Sequence, residues 1–449
     1  MVGPAAKTGT LGRGLRIGKL GFSLVGSYLG YQAQNLILGK SAQPERRTRF
    51  HQQASKKVRE ELGALKGPAM KLGQVLSMQN DFLSEEALQE LATLQMHAPP
   101  MHATLARAQF KSALGKDPED LFREFDPVPF AAASLGQVHR AVTFQGEKVA
   151  VKIQYPAIRS AIEDDLKLLR SVTLPTRLTG HVPAALVDEI QRGLLEETDY
   201  VREADSLEYF RKGLAGLPHV TVPRVYRELS SDRVLTMSFV EGESLATWLK
   251  RRPSQAQRNL MAERLGEIYE TQLQWLRMLH ADQHPGNYLF RPDGHIGLVD
   301  FGCVKRITFD VEDLRRCYRE RTWRQSEAAA RQFLRMVYGP GVPYARARKI
   351  LPVLEKFMDI HHPPNANEDW IIDFDDHAKE KPGLKEARRQ YQKQLLQDRL
   401  INPEFVFFMR ADMGLLHLLH ELRATLNVTK LISRVAAMPP PGWAGARKS

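Results

Sequence analysis

Apolar positions recur along this chain at two spacings, and the spacing changes from one region to the next. In residues 51–98 they return every three or four positions, which predicts helices with a break at Gly67-Pro68. The same spacing predicts helices over 103–115, 157–170 and 183–212, and over most of the chain from Leu245 onward. Valine-rich runs bounded by turn residues predict strands at Val138–Val142, Lys148–Ile153, Val220–Val225 and Val234–Phe239.

Three stretches show neither spacing. Residues 288–307 interrupt the helical C-terminal half and are expected to be irregular, and residues 361–383 are polar and loop-like. The tail 438–449 contains three consecutive prolines and is expected to be disordered.

Positive charge is concentrated at the start of the chain. The 449 residues carry a formal net charge of +12, and residues 1–60 hold eleven Lys or Arg and two Glu, which leaves 11 − 2 = +9. Within this arm Leu20 to Gly39 is uncharged and largely apolar, a pattern that favours a helix lying on a membrane surface over one that spans it. We therefore predict membrane contact through residues 13–40, while a solvated, disordered terminus stays an open alternative.

The sequence disfavours nucleic acid, a disulfide framework and a zinc site. Aromatic and basic positions of the arm are poorly interleaved, whereas a nucleic-acid stacking groove requires both, so we expect no nucleic acid. The two cysteines, Cys303 and Cys317, form no CxxC pair, which argues against a disulfide framework or a zinc site and favours a reducing compartment. The oligomeric state is not predicted.

Three polar residues late in the chain have the order of a phosphoryl-transfer site. Asp282 and Asn287 are five residues apart, and the apolar run 296–299 leads into Asp300 of an Asp-Phe-Gly tripeptide. In such a site one carboxylate orients the nucleophile, and an amide oxygen and a second carboxylate hold Mg²⁺ on the nucleotide phosphates. We predict that Asp282 is catalytic and that Asn287 and Asp300 are the metal ligands.

Two upstream segments complete a nucleotide site. An alanine-rich stretch occupies the frame of a kinase phosphate loop, and Lys152 closes the Val-Ala-Val-Lys strand after it. Glu197, expected on a helix over 183–212, is the predicted carboxylate partner of Lys152, and both are assigned as catalytic. Residues 234–245 fit a hinge whose backbone meets adenine. The candidate nucleotide-binding residues are Ala131, Ala132, Ala133, Ser134, Gly136, Val138, Lys152, Ser238 and Val240.

These motifs together resemble the UbiB/AarF family of atypical protein-kinase-like proteins over roughly residues 55–310. Three further matches support the resemblance: Lys71-Leu72-Gly73-Gln74 as KxGQ, Ala131 to Ser134 as the alanine-rich loop, and Glu197-Thr198-Asp199 as ExD. The resemblance implies an α+β, two-lobed protein-kinase-like fold with an N-terminal helical extension and a mostly helical C-lobe. It also implies that the protein uses ATP and Mg²⁺. It also implies that the KxGQ helix covers the active site and contacts ExD, so that Lys71, Gln74 and Asp199 are regulatory.

The chain departs from the usual motifs at three points. Gln283 stands where the family loop usually has proline, and this change is expected to loosen the loop. Ala281 replaces the arginine of His-Arg-Asp, and no Ala-Pro-Glu follows Asp300. Since the last two features normally serve peptide docking, their absence disfavours a protein substrate.

The resemblance therefore predicts an ATP- and Mg²⁺-dependent kinase or ATPase that supports ubiquinone or isoprenoid-lipid metabolism, with a membrane lipid or quinone-like molecule as partner. A protein Ser/Thr kinase and a non-catalytic ATP-binding scaffold stay open. We expect it at the cytoplasmic face of a membrane or in the cytoplasm, and in mitochondria if it is eukaryotic. The predicted domains are the arm (1–50), the KxGQ extension (51–115), the N-lobe (116–242), the C-lobe (243–437) and the tail (438–449).

Overall fold

The computed structural model describes part of the chain. Described are residues 101–133, 135–160, 162–163, 192–193, 195–361, 369–374, 383, 386–387, 390–391 and 402–441. The basic arm, Lys71, Gln74, Ser134 and residues 442–449 of the tail lie outside the described residues, so the predictions made for them stay predictions.

The described residues form helices and short strands. The helices are α1 (Ala103–Leu114), α2 (Pro118–Leu121), α3 (Tyr200–Gly213), α4 (Leu245–Lys250), α5 (Gln255–Thr271), α6 (Val311–Glu320), α7 (Glu327–Tyr338), α8 (Tyr344–Ala347), α9 (Leu351–His361), α10 (Pro403–Leu422) and α11 (Val428–Ala437). The strands are β1 (Glu124–Phe125), β2 (Ala131–Ala133), β3 (Gly136–Val142), β4 (Lys148–Gln154), β5 (Val220–Thr221), β6 (Val234–Ser238), β7 (Met278–His280), β8 (Tyr288–Phe290), β9 (Ile296–Leu298), β10 (Val304–Arg306), β11 (Ile371–Asp373) and β12 (Thr425–Asn427).

The chain divides into two compact units. The first comprises residues 1–199 and 229–235, and the second comprises residues 200–228 and 236–449. The division passes through β6, inside the segment that the sequence predicts to be a hinge. The domain bounds given by the sequence stay a prediction.

The first unit is built on an antiparallel sheet. Its strands follow the order β1-β3-β4-β6, and β2 pairs with the start of β3. Helix α1 buries Phe110, whose ring lies 6.0 Å from those of Phe122 and Phe125, and Phe125 stacks on buried His139 of β3. This aromatic cluster fills the space between α1 and the sheet, because large rings bury the most apolar area.

The second unit contains small sheets among helices. Strands β5, β9 and β8 form one sheet, and the pairs β7–β10 and β11–β12 form two more. Helix α5 contacts both α10 and α11, and it buries apolar residues along most of its length. Helices α6 to α9 enclose a second apolar cluster around Trp323, Phe333 and Met358.

The α+β prediction is confirmed, as are the helix predicted at 103–115 and three of the four predicted strands. The run Val220–Val225 was predicted too long, because β5 ends at Thr221. Pro223 lacks the N–H that a continuing ladder requires, and Val225 makes only an isolated bridge to Met237.

Three other predictions need correction. The helix predicted over 183–212 is interrupted at 197–199, where the N–H groups of Thr198 and Asp199 bond three residues back instead of four. The stretch 288–307, expected to be irregular, contains β8, β9 and β10, and the polar stretch 361–383 contains β11. These strands have only three residues each, which is too short for a clear alternating pattern.

No helix in the described part of the chain combines the length and the apolar character that crossing a membrane requires.

A glycine sets the distance between α5 and α11. A Cβ on Gly266 would lie 2.4 Å from a methyl carbon of buried Leu431, which is far inside contact distance. Gly266→Val should therefore push α11 away and lower the free energy of unfolding by about 1–3 kcal/mol. Urea unfolding followed by circular dichroism measures this change.

Gly341→Val is the matched control, because a Cβ there meets no heavy atom within 4 Å. Equal stability of the two variants would contradict the close helix packing.

Candidate functional site

Predicted phosphate-binding residues share one face of the first unit's sheet. Ala131 of β2 pairs with Val138 of β3, and Val138 pairs with Lys152 of β4. Directly paired residues of neighbouring antiparallel strands project to the same face. The register therefore places the side chains of Ala131, Val138 and Lys152 in one row on this face.

The next row continues the same face. Ala133 pairs with Gly136, which closes a tight β2–β3 turn, and Gly136 pairs with Gln154. Ala132 pairs with Gln137 and so belongs to the opposite face, because successive side chains alternate. Of the alanine-rich stretch, Ala131 and Ala133 therefore lie on the face of Lys152, whereas Ala132 does not.

The ExD turn is attached to the same strand face. Lys152 is 3% exposed and is engaged by another group of the protein, as a buried ammonium must be. Gln154, two residues further on the same face, donates from Nε2 to the carbonyl oxygen of Thr198 at 2.9 Å. Glu197 and Asp199 flank Thr198 and are half-buried. Glu197 thus sits in a turn rather than on the predicted helix, and this turn is tied to β4 one row from Lys152.

In the second unit, His280 connects the two acidic motifs. Its Nδ1 accepts the Asp282 N–H at 3.2 Å, and its Nε2 lies 2.6 Å from the carbonyl oxygen of Asp300. A backbone N–H can only donate and a carbonyl can only accept, so the ring is the neutral tautomer with its proton on Nε2. One buried imidazole therefore fixes the backbone of both predicted catalytic segments.

Asp282 is held by two side chains. Arg410 of α10 donates to Oδ1 at 2.9 Å, and Asn287 donates from Nδ2 to Oδ2 at 3.3 Å and to the Asp282 carbonyl at 2.8 Å. The Arg410 and Asp282 side chains are 24% and 30% exposed, so the ion pair is only partly screened by water. These hydrogen bonds thus fix the orientation of the Asp282 carboxylate, which the sequence predicts to orient the nucleophile.

Gln283 tightens the loop that it was expected to loosen. Its side chain is buried, donates to the His280 carbonyl at 2.7 Å, and accepts a hydrogen bond from the Tyr288 hydroxyl. Burial, followed by the Asp282 charge, raises the pKa of Tyr288, which keeps its hydroxyl a donor. A Cβ on Gly414 would lie 2.7 Å from the Gln283 Cβ, so α10 packs directly on this loop.

The Asp-Phe-Gly segment is anchored to α3. Asp300 Oδ1 accepts the N–H of Gly302 at 3.0 Å, and buried Glu203 accepts the N–H of Phe301 at 3.4 Å. The Phe301 ring lies 4.8 Å from that of Phe210 on the same helix. These contacts hold the carboxylate of Asp300 at a fixed point after β9.

The donor set suits magnesium. The Nδ2 of Asn287 is directed at Asp282, which leaves its Oδ1 as the acceptor, and Asp300 supplies a carboxylate. Mg²⁺ prefers oxygen ligands and is usually held by one or two carboxylates together with substrate phosphates. No group of three or more His, Cys, Asp or Glu with metal-site geometry occurs in the described part of the chain, and a nucleotide-bound Mg²⁺ does not require one.

The predicted adenine contacts are less open than expected. The Ser238 N–H and hydroxyl are both bonded to the backbone of Arg224, at 2.9 and 3.0 Å. Val240 packs on Gly297, where a Cβ would meet its methyl carbon at 2.5 Å. A cavity of about 230 Å³ beside Val240 is smaller than typical ligand pockets. Both assignments stay predictions.

A second acidic group, the half-buried Asp412, lies on the other side of α10. Desolvation, followed by the nearby Glu270 carboxylate, raises the pKa of Asp412 to about 6, while Arg315 opposes the shift. Glu270 forms an ion pair with Arg315, and burial raises its pKa as well. The charge of Arg315 thus acts on both carboxyls, although only Glu270 forms an ion pair with it. Asp412 is two residues from Arg410.

Sequence reasoning missed several of these residues. Arg410 lies 128 residues from Asp282, and its only signal is a cation within the otherwise apolar run 405–411. Gly414 carries the stronger signal, since a glycine within a helix often marks a close approach. Glu203 was included in the predicted helix 183–212 but was given no role.

Comparisons with known proteins identify the family of this chain. A family model described as the ABC1 atypical kinase-like domain matches residues 93–332. The AarF domain-containing protein kinase 1 of Mus musculus is 33% identical over 271 residues, which cover 59% of this chain and 52% of that protein. The chloroplastic protein ACTIVITY OF BC1 COMPLEX KINASE 7 of Arabidopsis thaliana is 33% identical over 246 residues, covering 54% and 35%.

A solved structure is similar over most of the chain. The complex of Rv3197 with erythromycin, from Mycobacterium tuberculosis, has a TM-score of 0.56 and 26% identity, and the match covers 89% of this chain and 99% of that one. By contrast, the matches cover about half or less of the length of these two curated relatives.

Arg410→Gln should lower turnover while leaving the fold intact. The variant keeps a hydrogen-bonding side chain but removes the charge that orients Asp282, so kcat for ATP turnover should fall on the order of a hundredfold. KM for ATP should change much less, and steady-state kinetics with and without the substitution measure both.

Arg319→Gln removes an exposed arginine with the same change of charge, and it should leave both constants unchanged. An unaltered kcat in Arg410→Gln would contradict the orienting role.

Asp412→Asn tests the Asp412 carboxyl through pH. The pKa of Asp412 is about 6 in the folded protein and about 4 in the unfolded chain. Between pH ~4 and ~6 the folded protein therefore binds one more proton at this group than the unfolded chain does. The wild-type stability due to this group is present below pH ~4 and is lost as pH rises to ~6. Asp412→Asn has no carboxyl to titrate, so it does not show this loss. The difference in free energy of unfolding between the variant and the wild type should therefore shift in favour of the variant by roughly 2–3 kcal/mol as pH rises from ~4 to ~7. Urea unfolding at a series of pH values measures the difference.

Asp293→Asn is a control of opposite sign, because the His295 N–H lowers the pKa of Asp293. A pH-independent difference between Asp412→Asn and wild type would rule out the raised pKa.

Proposed function

The chain belongs to the ABC1 atypical kinase-like family, and from this membership we propose that it is an ATP- and Mg²⁺-dependent phosphoryl-transfer enzyme. We propose further that it acts at a membrane in ubiquinone or isoprenoid-lipid metabolism, as a small-molecule kinase or an ATPase. The observation that carries the enzymatic proposal is the His280 imidazole, which joins the backbones of Asp282 and Asp300.

The first unit supplies the predicted phosphate-binding groups. Lys152 lies in one row with Ala131 and Val138, small or medium side chains that permit close approach of a phosphate to the sheet face. The ExD turn, tied to Gln154, brings carboxylates to the same strand. This arrangement supports the pairing of Lys152 with Glu197 and a regulatory role for Asp199.

The second unit supplies the groups that act on the transferred phosphoryl. Asn287 Oδ1 and the Asp300 carboxylate are the proposed ligands of Mg²⁺, which neutralises the charge on the phosphate oxygens when bound. Asp282 accepts a hydrogen bond from the attacking hydroxyl or water and aligns its oxygen with the terminal phosphorus. The new P–O bond forms as the bond to the leaving ADP breaks. Arg410 and Asn287 hold Asp282 in position for this step.

The acceptor is proposed to be a lipid or quinone-like molecule, or water. The absence of His-Arg-Asp arginine and Ala-Pro-Glu, together with the KxGQ motif, disfavours peptide docking. The basic arm with its uncharged segment 20–39 supports a membrane-surface position. If the protein is eukaryotic, we propose an organelle membrane, as the chloroplastic relative suggests.

ATP turnover tests the proposal. Purified protein should release phosphate from ATP in the presence of Mg²⁺, and Asp300→Asn should reduce this rate about a hundredfold or more, because it removes a charged ligand of the metal–phosphate complex. The measurement is made with and without vesicles and quinone-headgroup compounds, so that stimulation identifies the acceptor class.

Asp205→Asn, an exposed carboxylate paired with Arg227, is the matched control and should turn over normally. Equal rates in Asp300→Asn and wild type would refute phosphoryl transfer at this site. ATP binding without turnover under every condition would instead support a scaffold, and Asp282-dependent labelling of lysate proteins would support a protein kinase.

A further inference from the structure

In the described part of the chain β7 pairs with β10 alone, so its other edge has no strand neighbour. The ladder continues on both sides of β7: the Ala281 N–H donates to the Cys303 carbonyl, and the Arg277 carbonyl accepts the Ile307 N–H, each at 2.9 Å. Successive residues of an antiparallel strand face the partner strand and the opposite edge in turn. The backbone N–H and C=O of His280 therefore point to the edge that has no strand.

Two glutamine side chains take the place of the missing strand at His280. Gln272 Oε1 accepts the His280 N–H at 2.9 Å, and Gln283 Nε2 donates to the His280 carbonyl at 2.7 Å. All three residues are buried, and Gln272 precedes His280 by eight residues. A buried N–H that loses its acceptor has no water to replace it, so the position of the His280 backbone depends on the Gln272 amide.

A π-helical turn places Gln272 beside β7. This turn spans residues 272–276 and continues α5 with a wider winding. The Tyr209 hydroxyl of α3 donates to the Leu276 carbonyl at the end of the turn, at 2.7 Å, and Arg277 then reverses the chain with a φ of 52°. Single π turns are rare in helices and occur frequently at functional sites. The chain thus adopts an uncommon winding at the residue that reaches His280, and α3 anchors the end of that turn.

Packing alone does not explain a glutamine at position 272. Its side chain has 0% exposure, and its Nε2 has no hydrogen-bond partner among the described residues. The His280 N–H can only donate, so the amide oxygen must face it and the NH2 group must point elsewhere. An NH2 group buried without an acceptor destabilises the fold, and an apolar side chain of the same length would avoid this cost. The feature that an apolar residue could not supply is the acceptor for His280.

We propose that Gln272 is a positioning residue of the phosphoryl-transfer site. It acts through His280: by accepting the N–H of this residue, it fixes the point from which the imidazole reaches the Asp282 N–H and the Asp300 carbonyl. This inference rests on the proposed function, because a site that transfers a phosphoryl group needs these two carboxylates in a fixed relation.

Steady-state kinetics of the full-length protein test the proposal with two substitutions. Gln272→Met keeps the length of the side chain but removes the acceptor, so kcat for ATP turnover should fall about tenfold or more, because misplaced catalytic groups slow the chemical step. KM for ATP should change by less than about threefold, since His280 holds the groups that act on the transferred phosphoryl. Gln272→Glu keeps an oxygen that accepts the His280 N–H, and it should recover most of the lost kcat.

Gln274→Met is the matched control, because it makes the same change two residues further along the π turn. The Gln274 amide bonds to the Glu270 carboxylate and the Ile432 carbonyl, neither of which belongs to the predicted catalytic segments. With both proteins shown to be folded by circular dichroism, Gln274→Met should keep the wild-type kcat. An unchanged kcat in Gln272→Met, equal losses in the two Met variants, or no recovery in Gln272→Glu would each overturn the proposal.

A second measurement does not depend on turnover. The His280 ring proton on Nε2, bonded to the Asp300 carbonyl, should give a protected NMR signal in protein with isotope-labelled histidine, assigned by its absence in His280→Gln. The signal should be lost in Gln272→Met, through faster exchange with water, and kept in Gln274→Met. If the wild type turns over no ATP, the proposed function fails, while this signal still decides whether Gln272 positions His280. A signal that is missing in the wild type, or unchanged in Gln272→Met, would overturn that role.

Discussion

The candidate catalytic segments of the second unit depend on the hydrogen bonds of His280. A protonated ring could not accept the N–H of Asp282, and a ring with its proton on Nδ1 could not donate to the Asp300 carbonyl. The two hydrogen bonds therefore require one tautomer of the imidazole. The two carboxylate-bearing segments are consequently positioned as a pair, before any nucleotide binds.

Helix α10 connects this pair to the interior of the second unit. It lies beyond the residues matched by the family model, yet Arg410 reaches Asp282, and Gly414, one turn later, allows the helix to touch Gln283. Residues two apart on a helix point to nearly opposite sides, so Asp412 faces the buried Glu270 and Arg315 instead. One helix thus carries the orienting guanidinium on one side and a half-buried titrating carboxyl on the other. Movement of α10 would disturb both.

The sequence predicted what depends on short spacing and could not predict what depends on packing. Asp282, Asn287 and Asp300 could be proposed as site residues because their motifs are confined to one short region. Strands β3 and β4 were predicted correctly because valine alternates there. Ala132 shows what a motif cannot predict. The face on which a strand residue lies depends on how its strand pairs with the neighbouring strand, and the motif does not specify this pairing. Gln283 was misjudged because its partners, His280 and Tyr288, are defined only once the loop closes. Arg410 could not be found, as 128 residues separate it from Asp282.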